Sequence, residues 1–462
     1  MHGLEGASTV NGIFFVIVLI AFGVAGVRQV MWEPPGGDAK SPMELLALAM
    51  VDTAEASVTL AIGLVGVMAL FLGLMKVAEA GGMLVIIAKL TRPLMQKLFP
   101  DVPPGHPAMG AMILNMSASI LGLGNAATPF GIRAMQELDK LNQVKGTATN
   151  AMVLFLAINT SSVTLLPTGV IALRAAAGSQ DPAGIVPTTL FATICSTTIA
   201  IIVAKLCQKY WFLEPVPKVG TGAAPENSTD APTMETGVPE LDADSPANNL
   251  DVDELDLDDA GEAYPAWVSI SILLGILVLI PLTVLFGKQI SPWIMPGLMV
   301  GLLGFGVLRR VRVYEQFVEG AKDGFLVALR IIPYLVAILV AVGMFRSSGA
   351  MDMLISPMSF ITNPLGMPAE ALPMALLRPL SGSGAYGIVA DIVNNPAIGP
   401  DSYTGYLVST LQGSTETTFF VIAVYFGSVQ VRRVRHALIA GLSADFAGVV
   451  GAVVAVSFLL AG

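Results

Sequence analysis

Long apolar runs separated by short polar punctuation set the pattern of this chain: 11–27, 58–74, 147–173, 185–206, 267–286, 294–308, 324–345, 403–428 and 437–460. About 20 such residues in a helix cross a hydrocarbon core, so the runs predict membrane helices. The segment 41–52 reads as a separate amphipathic helix at the interface, ahead of the span at 58–74. Residues 83–98 carry Lys89, Arg92 and Lys97 among apolar positions, which predicts a helix lying along the membrane surface. Pro100, Pro103 and Pro104 stop it. A turn at Gly287 and Lys288 makes 267–308 a helical hairpin.

Some runs are interrupted where an ordinary span would not be. Gln412-Gly413-Ser414-Thr415-Glu416-Thr417-Thr418 places an amide, a carboxylate and hydroxyls in the middle of 403–428. A charged group at mid-bilayer costs at least about 2.5 kcal/mol and normally faces a bundle interior or a polar cavity. The run 147–173 answers it with Asn159-Thr160-Ser161-Ser162-Val163-Thr164. A shift of 253 residues lays Asn159 on Gln412, Ser161 on Ser414, Ser162 on Thr415 and Thr164 on Thr417, with Val163 where Glu416 stands. The competing reading is that the hydroxyls merely bond back to carbonyls of their own helix.

Two further stretches, 122–129 and 381–387, combine glycine, polar atoms and a nearby proline. They predict paired helix breaks that approach each other inside the membrane region, where irregular backbone survives only if protein or water buries it. Residues 130–141, with Arg133, Glu137, Asp139 and Lys140, read as exposed to water. A shift of 270 aligns Gly73 with Gly343 and Lys76 with Arg346. Each half therefore runs through a span ending in a base, an interfacial segment, a broken segment, a polar-cluster helix and a closing span. Duplicated units with broken helices are the usual plan of secondary transporters. Similarity alone leaves parallel and inverted repeats both open.

Composition sharpens the class. Apolar residues make up 54% and charged residues 13%, against about 25% charge in soluble domains. The expected fold is an all-α polytopic membrane protein of two pseudo-repeated helical units with broken or re-entrant helices. The net charge of −10 misleads, because 213–264 holds fourteen acids and one lysine, leaving +3 for the rest. Three parts follow: membrane units at 1–212 and 265–462, and an acidic linker at 213–264 expected to be disordered, cytoplasmic and dispensable for folding. Cys195 and Cys207 suggest neither a disulfide nor a metal site. Three scattered histidines support no metal centre, and His106, beside Pro107, reads as a helix cap or a surface residue. No phosphate loop, nucleophile elbow or zinc-protease signature is present. No basic aromatic stretch suggests nucleic acid. The expectation is a non-enzyme without a cofactor.

These stretches resemble a fusion of the bacterial spore maturation protein A and B families. The first half carries Glu79-Ala80-Gly81, His106-Pro107-Ala108-Met109-Gly110, 121–129 and 157–162; the second carries Arg378-Pro379-Leu380-Ser381-Gly382-Ser383-Gly384 and 412–418. Both families are grouped under the nucleoside-recognition, or gate, domain, found also in concentrative nucleoside transporters and ferrous-iron transporters. In the nucleoside transporters a Gln-Thr-Glu stretch touches the nucleoside; Gln412, Thr415 and Glu416 are similar, with Gly413 and Ser414 intervening. The resemblance implies a bacterial cytoplasmic membrane protein, with a role in spore-core dehydration where spores are made.

The candidate binding residues are Asn125, Thr128, Asn159, Ser161 and Thr164 in the first half. The second half offers Arg378, Ser381, Ser383, Gln412, Ser414, Thr415, Glu416 and Thr417. Arg378 is the natural counter-charge for Glu416, and a central polar cavity with Glu416 as the only charge from the two clusters is expected. The partners expected are the lipid bilayer and a small polar solute or ion, with a homo-oligomer left open. A transporter or permease is the leading class, and a non-transporting membrane assembly or regulatory protein the alternative.

Overall fold

The computed structural model describes residues 4–33, 40–122, 124–211, 264–265, 267–268, 271, 275 and 287–461. The acidic linker, apart from Tyr264, and most of 267–286 lie outside them. The first half comprises α1 (Leu4–Val30), α2 (Pro42–Ala80), α3 (Met83–Leu98), α4 (Pro107–Leu121), α5 (Gly124–Lys140), α6 (Asn150–Thr160), α7 (Thr168–Ala176) and α8 (Ile185–Cys207). The second comprises α9 (Gly287–Leu308), α10 (Val313–Ser347), α11 (Ala350–Thr362), α12 (Leu372–Leu377), α13 (Gly382–Asn394), α14 (Tyr403–Ser414), α15 (Thr418–Gly427) and α16 (Ala437–Ala461). Among the described residues, three helical stretches, Pro42–Ala80, Pro182–Cys207 and Ala437–Leu460, are long and apolar enough to cross a membrane.

The halves are repeats of opposite direction. Gly320 packs on Leu72, Gly324 on Ala69, and Gly343 on Thr53, so α2 and its equivalent α10 run antiparallel. Ser196 bonds the Ala444 carbonyl while Gly451 lies against Ala192, so α8 and α16 do the same. The interrupted helices follow suit. Ala148, just before α6, bonds Arg433, just after α15, whereas Arg174 in α7 reaches Pro400 and Asp401, just before α14. Antiparallel pairing of equivalent helices is the arrangement an inverted repeat produces.

Several sequence boundaries shift. No glycine or proline separates 44 from 62, so 41–52 and the next span fuse into one helix, started by a capping box between Ser41 and Glu44. Gly287 and Lys288 are helical, not a turn. Residues 130–141 are not simply water-exposed, because Phe130, Ala134, Met135 and Leu138 form a buried face of α5. His106 is a cap, its Nδ1 accepting from the Ala108 amide at 3.1 Å. The runs 147–173 and 403–428 are not continuous spans but break at 161–167 and 415–417.

The predicted breaks at 122–129 and 381–387 are narrower than expected. Pro129 lies inside α5, and 382–387 form the start of α13. The described turns are at 122 and 378–381, making α4–α5 and α12–α13 hairpins entering from opposite ends of the bundle. Each tip lodges against the broken helix of its own half. The Leu165 amide bonds the Ile120 carbonyl at 3.0 Å, and the Phe419 amide bonds the Pro379 carbonyl at 3.1 Å. The breaks that meet across the repeat interface are instead 161–167 and 415–417, where the Glu416 amide bonds the Thr160 carbonyl at 2.8 Å.

Gly122 shows how tight the first tip is. Its φ is +80°, and a Cβ there would stand 2.7 Å from the Leu166 carbonyl oxygen. Gly146, with φ +76°, meets nothing within 4 Å. Gly146→Ala should therefore lose only the left-handed conformational cost, about 1–2 kcal/mol. Gly122→Ala should lose more, and thermal unfolding of the two purified variants measures the difference. Equal losses would show that the tip does not press on Leu166.

Candidate functional site

The polar residues meet where the two broken helices cross. Interrupting a helix leaves carbonyls at one end and N–H groups at the other without intrahelical partners. In the first half the side chains serve that need. Asn159 donates to the Phe155 carbonyl at 2.9 Å, Thr160 to Ala157 at 2.9 Å and Ser161 to Ala157 at 2.8 Å. In the second, Ser414 donates to Leu411 at 2.9 Å. For these four residues the bonding back to the helix weighed at the outset is what the structure contains. Thr164 makes only a weak 3.4 Å contact with the Ser162 carbonyl.

The second break has a different character. Arg378, just beyond α12, is 7% exposed. Its guanidinium donates to the Thr415 carbonyl and to Thr417 Oγ1 at 3.2 Å. One Nη stands 3.6 Å from a Glu416 oxygen. The Glu416 side chain is 56% exposed, so that pair is open to water and weak in itself. Ser381 caps α13, its hydroxyl accepting from the Gly384 amide at 3.0 Å. A Cβ on Gly382 would lie 2.8 Å from Thr417 Oγ1, so the starts of α13 and α15 converge. Two helix starts and a guanidinium favour negative or electron-rich groups. Glu416 now answers that field, and an incoming polar group can compete with it.

Of the candidates, Arg378, Ser381, Thr415, Glu416 and Thr417 are gathered into this one constellation. Asn159 lies apart, in a buried relay with Asn115 and Tyr425. Asn115 donates to the Tyr425 hydroxyl at 3.2 Å, which donates to Asn159 Oδ1 at 3.3 Å. Gln412 is buried with its Oε1 unpartnered. Thr128 is half-buried beside the first tip. The side chains of Asn125 and Ser383 lie outside those described. Sequence reasoning left Asn115, Tyr425 and Asp445 out of the site. Asp445 is 6% exposed and accepts from Thr418 Oγ1 at 2.7 Å. Its signal was available: it is the sole charge in 25 residues of apolar helix. Among the described residues no group of three or more His, Cys, Asp or Glu is placed to hold a metal ion.

Known proteins bear on this geometry. The nucleoside-recognition family model (gate) matches residues 61–177 and 328–432, one segment in each half and each containing one interrupted helix. Spore maturation protein B of Bacillus subtilis (strain 168) is 45% identical over 164 residues, covering 36% of this chain and 91% of that protein. Spore maturation protein A of the same organism is 48% identical over 152 residues, covering 33% of this chain and 78% of that protein. The chain belongs to the spore maturation protein family, with an A-type and a B-type unit fused in one polypeptide. Both gate segments thus contribute backbone to the crossing, since Thr160 lies in the first match and Glu416 in the second. No solved structure matches the chain.

Proposed function

We propose that this spore maturation fusion is a multi-pass transporter or permease of the bacterial cytoplasmic membrane, handling a small polar solute or ion at the crossing of its two broken helices. The observation carrying the reading is that each half supplies an interrupted helix of opposite direction and that the two are joined at their breaks. There an exposed carboxylate rests beside a buried guanidinium. A packing interface needs neither the interruption nor the exposed charge, whereas alternating access uses both. No cofactor and no enzymatic step belong to this reading.

Charge distribution supports an orientation. Arg309, Arg310 and Arg312, Lys205 and Lys209, and Arg432 and Arg433 all stand at the end of the bundle where α8 finishes and α16 starts. The other end holds Arg174 and Arg346 with Asp181, Asp391 and Asp401. Bases collect on the cytoplasmic side of membrane proteins, which supports a cytoplasmic linker, since the chain enters it from the basic end.

Uptake from a panel of small polar solutes and ions into proteoliposomes tests the proposal. Glu416→Gln and Arg378→Met should each lower uptake of the responding solute by tenfold or more, about 1.4 kcal/mol, while the protein still assembles. Uptake unchanged in both variants would move the preference to a membrane assembly or regulatory protein, in which these groups only hold helices together.

A further inference from the structure

The site contains a second carboxylate that the transport reading does not use. Gly441, Asp445 and Gly448 fall at i, i+4 and i+7 on α16 and so share one face. The two glycines let that face lie directly on the second break. A Cβ at Gly441 would stand 2.6 Å from Thr418 Cγ2, and one at Gly448 would stand 2.8 Å from Thr415 Cγ2 and 3.3 Å from Ser414 Oγ. Asp445 is thereby carried against the break, with only 6% of the residue exposed. Oδ2 accepts from Thr418 Oγ1 at 2.7 Å, and Thr415 lies beside the carboxylate. Oδ1 is buried and has no partner.

An orphaned carboxylate oxygen is costly in a buried site. The charges around it do not cancel. Arg378 pairs with Glu416 and also feels the charge of Asp445, so with both carboxylates ionised the constellation carries one negative charge in excess. The helices packed against α16 supply no relief. α6 and α14 carry no Asp, Glu, Lys, Arg or His, and the tyrosines of α14, Tyr403 and Tyr406, are at its far end. α8 offers Cys195 near this level, with Lys205 and Cys207 at its end, and α15 offers Tyr425. Asp445 is the only ionisable residue of α16 itself.

We propose that Asp445 is the carboxylate through which the crossing takes up a single positive charge, a proton or an alkali-metal ion. A single carboxylate flanked by threonine hydroxyls suits one charge, not a multivalent metal. The proposal rests on the transport reading only for its purpose, since uptake of the cation is measurable without any solute. It also divides the labour: Glu416, at the open edge, meets the solute, and Asp445, beneath it, meets the cation. Because Arg378 is shared, neutralising Asp445 releases the guanidinium toward Glu416 or a solute that replaces it. Cation and solute occupancy are thereby coupled through one side chain.

The test uses the full chain in lipid nanodiscs. Thermal midpoints are compared in sodium, potassium, lithium and choline chloride at constant ionic strength, and in choline across a pH series. Infrared spectra are recorded on protein labelled with carboxyl-13C aspartate. An alkali-metal site raises the midpoint saturably with one of the metal salts at fixed pH. A proton site leaves the salts equivalent, raises the midpoint on acidification and adds a protonated-carboxyl band shifted by the aspartate label. Asp445→Asn should abolish whichever response appears, and Glu315→Gln, at an exposed carboxylate near the start of α10, should retain it. Should Asp445→Asn fail to fold, the label on the unmodified chain still assigns the response to aspartate. Salts and pH both without effect, a response surviving in Asp445→Asn, or a label-insensitive band would overturn the proposal. A cation response without solute uptake would leave Asp445 in place and remove the transport reading. Uptake indifferent to salt and pH would do the reverse.

Discussion

Gly324→Val is expected to separate the two halves of the molecule. A Cβ at Gly324 would lie 2.6 Å from Ala69 Cα and 2.7 Å from both the Ala69 nitrogen and the Met68 carbonyl oxygen. Four residues earlier, Gly320 lies as closely against the backbone of Leu72. The pair forms a Gly-x-x-x-Gly face, the spacing that lets membrane helices approach backbone to backbone. Overpacking a core usually costs about 1–3 kcal/mol. Here the obstacle is main chain, which cannot rotate away as a side chain can, so the upper end of that range is expected. The assay is to sever the chain near Asn248 in the linker, tag one piece and co-express both. The unmodified pieces should co-purify, and Gly324→Val should greatly reduce recovery of the untagged one. Gly301→Val is the control, since a Cβ at Gly301 in α9 meets nothing within 4 Å. Equal recovery from all three would show that α2 and α10 do not hold the halves together.

The same local rules explain which elements were legible. The helix at 83–98 matches residue for residue, because Gly82 in a left-handed conformation starts it and the proline-rich turn after Phe99 ends it. The last span is bounded just as clearly. Fusion of 41–52 with the span after it was missed for the opposite reason. Asp52 and Glu55 fall where the two predicted segments meet, but both are exposed on the surface of one continuous helix. Charge on an outer face does not stop a helix; a lost hydrogen bond or a special backbone angle does. The interruption at 161–167 was hidden because its residues are apolar or hydroxylated and only Pro167 marks it.

Repeat direction lay beyond sequence similarity, which compares residues and not the sense in which helices run. The site was half legible. Glu416 and Arg378 could be paired because two opposite charges in apolar runs need one another. The first-half cluster looked like a ligand surface but mostly caps the carbonyls of α6, since Ser and Thr satisfy either demand equally well. Asp445 has only Ser443 as a polar neighbour in its own helix. Its neighbours, Thr415 and Thr418, come from the break beside it.

Arg174→Met should release one end of the paired broken helices. Arg174 is fully buried and joins α7 to the segment before α14. It donates to the Pro400 carbonyl, to the Asp181 carbonyl at 3.0 Å and to Asp401 Oδ1 at 3.0 Å. Its guanidinium also stands 4.1 Å from the centre of the Tyr406 ring. Hydrogen bonds involving a charged group are each worth about 1.5–3 kcal/mol, and a desolvated cation–π contact about 2 kcal/mol. These do not add, because one side chain makes them all, and Asp401 is open enough to recover water when the arginine leaves. A net loss of about 3 kcal/mol is expected. The opposite end remains tied by Ala148 to Arg433 and by Arg435 to Asn150 at 2.9 Å. The variant should therefore fold but unfold at a lower midpoint. Arg174→Lys should recover little, because a lysine is a point charge and cannot reach several acceptors in a plane while lying over a ring. Thermal midpoints of both variants, together with recovery of the severed halves, measure the effect. Wild-type values in Arg174→Met would show that the basic end alone keeps the broken helices paired.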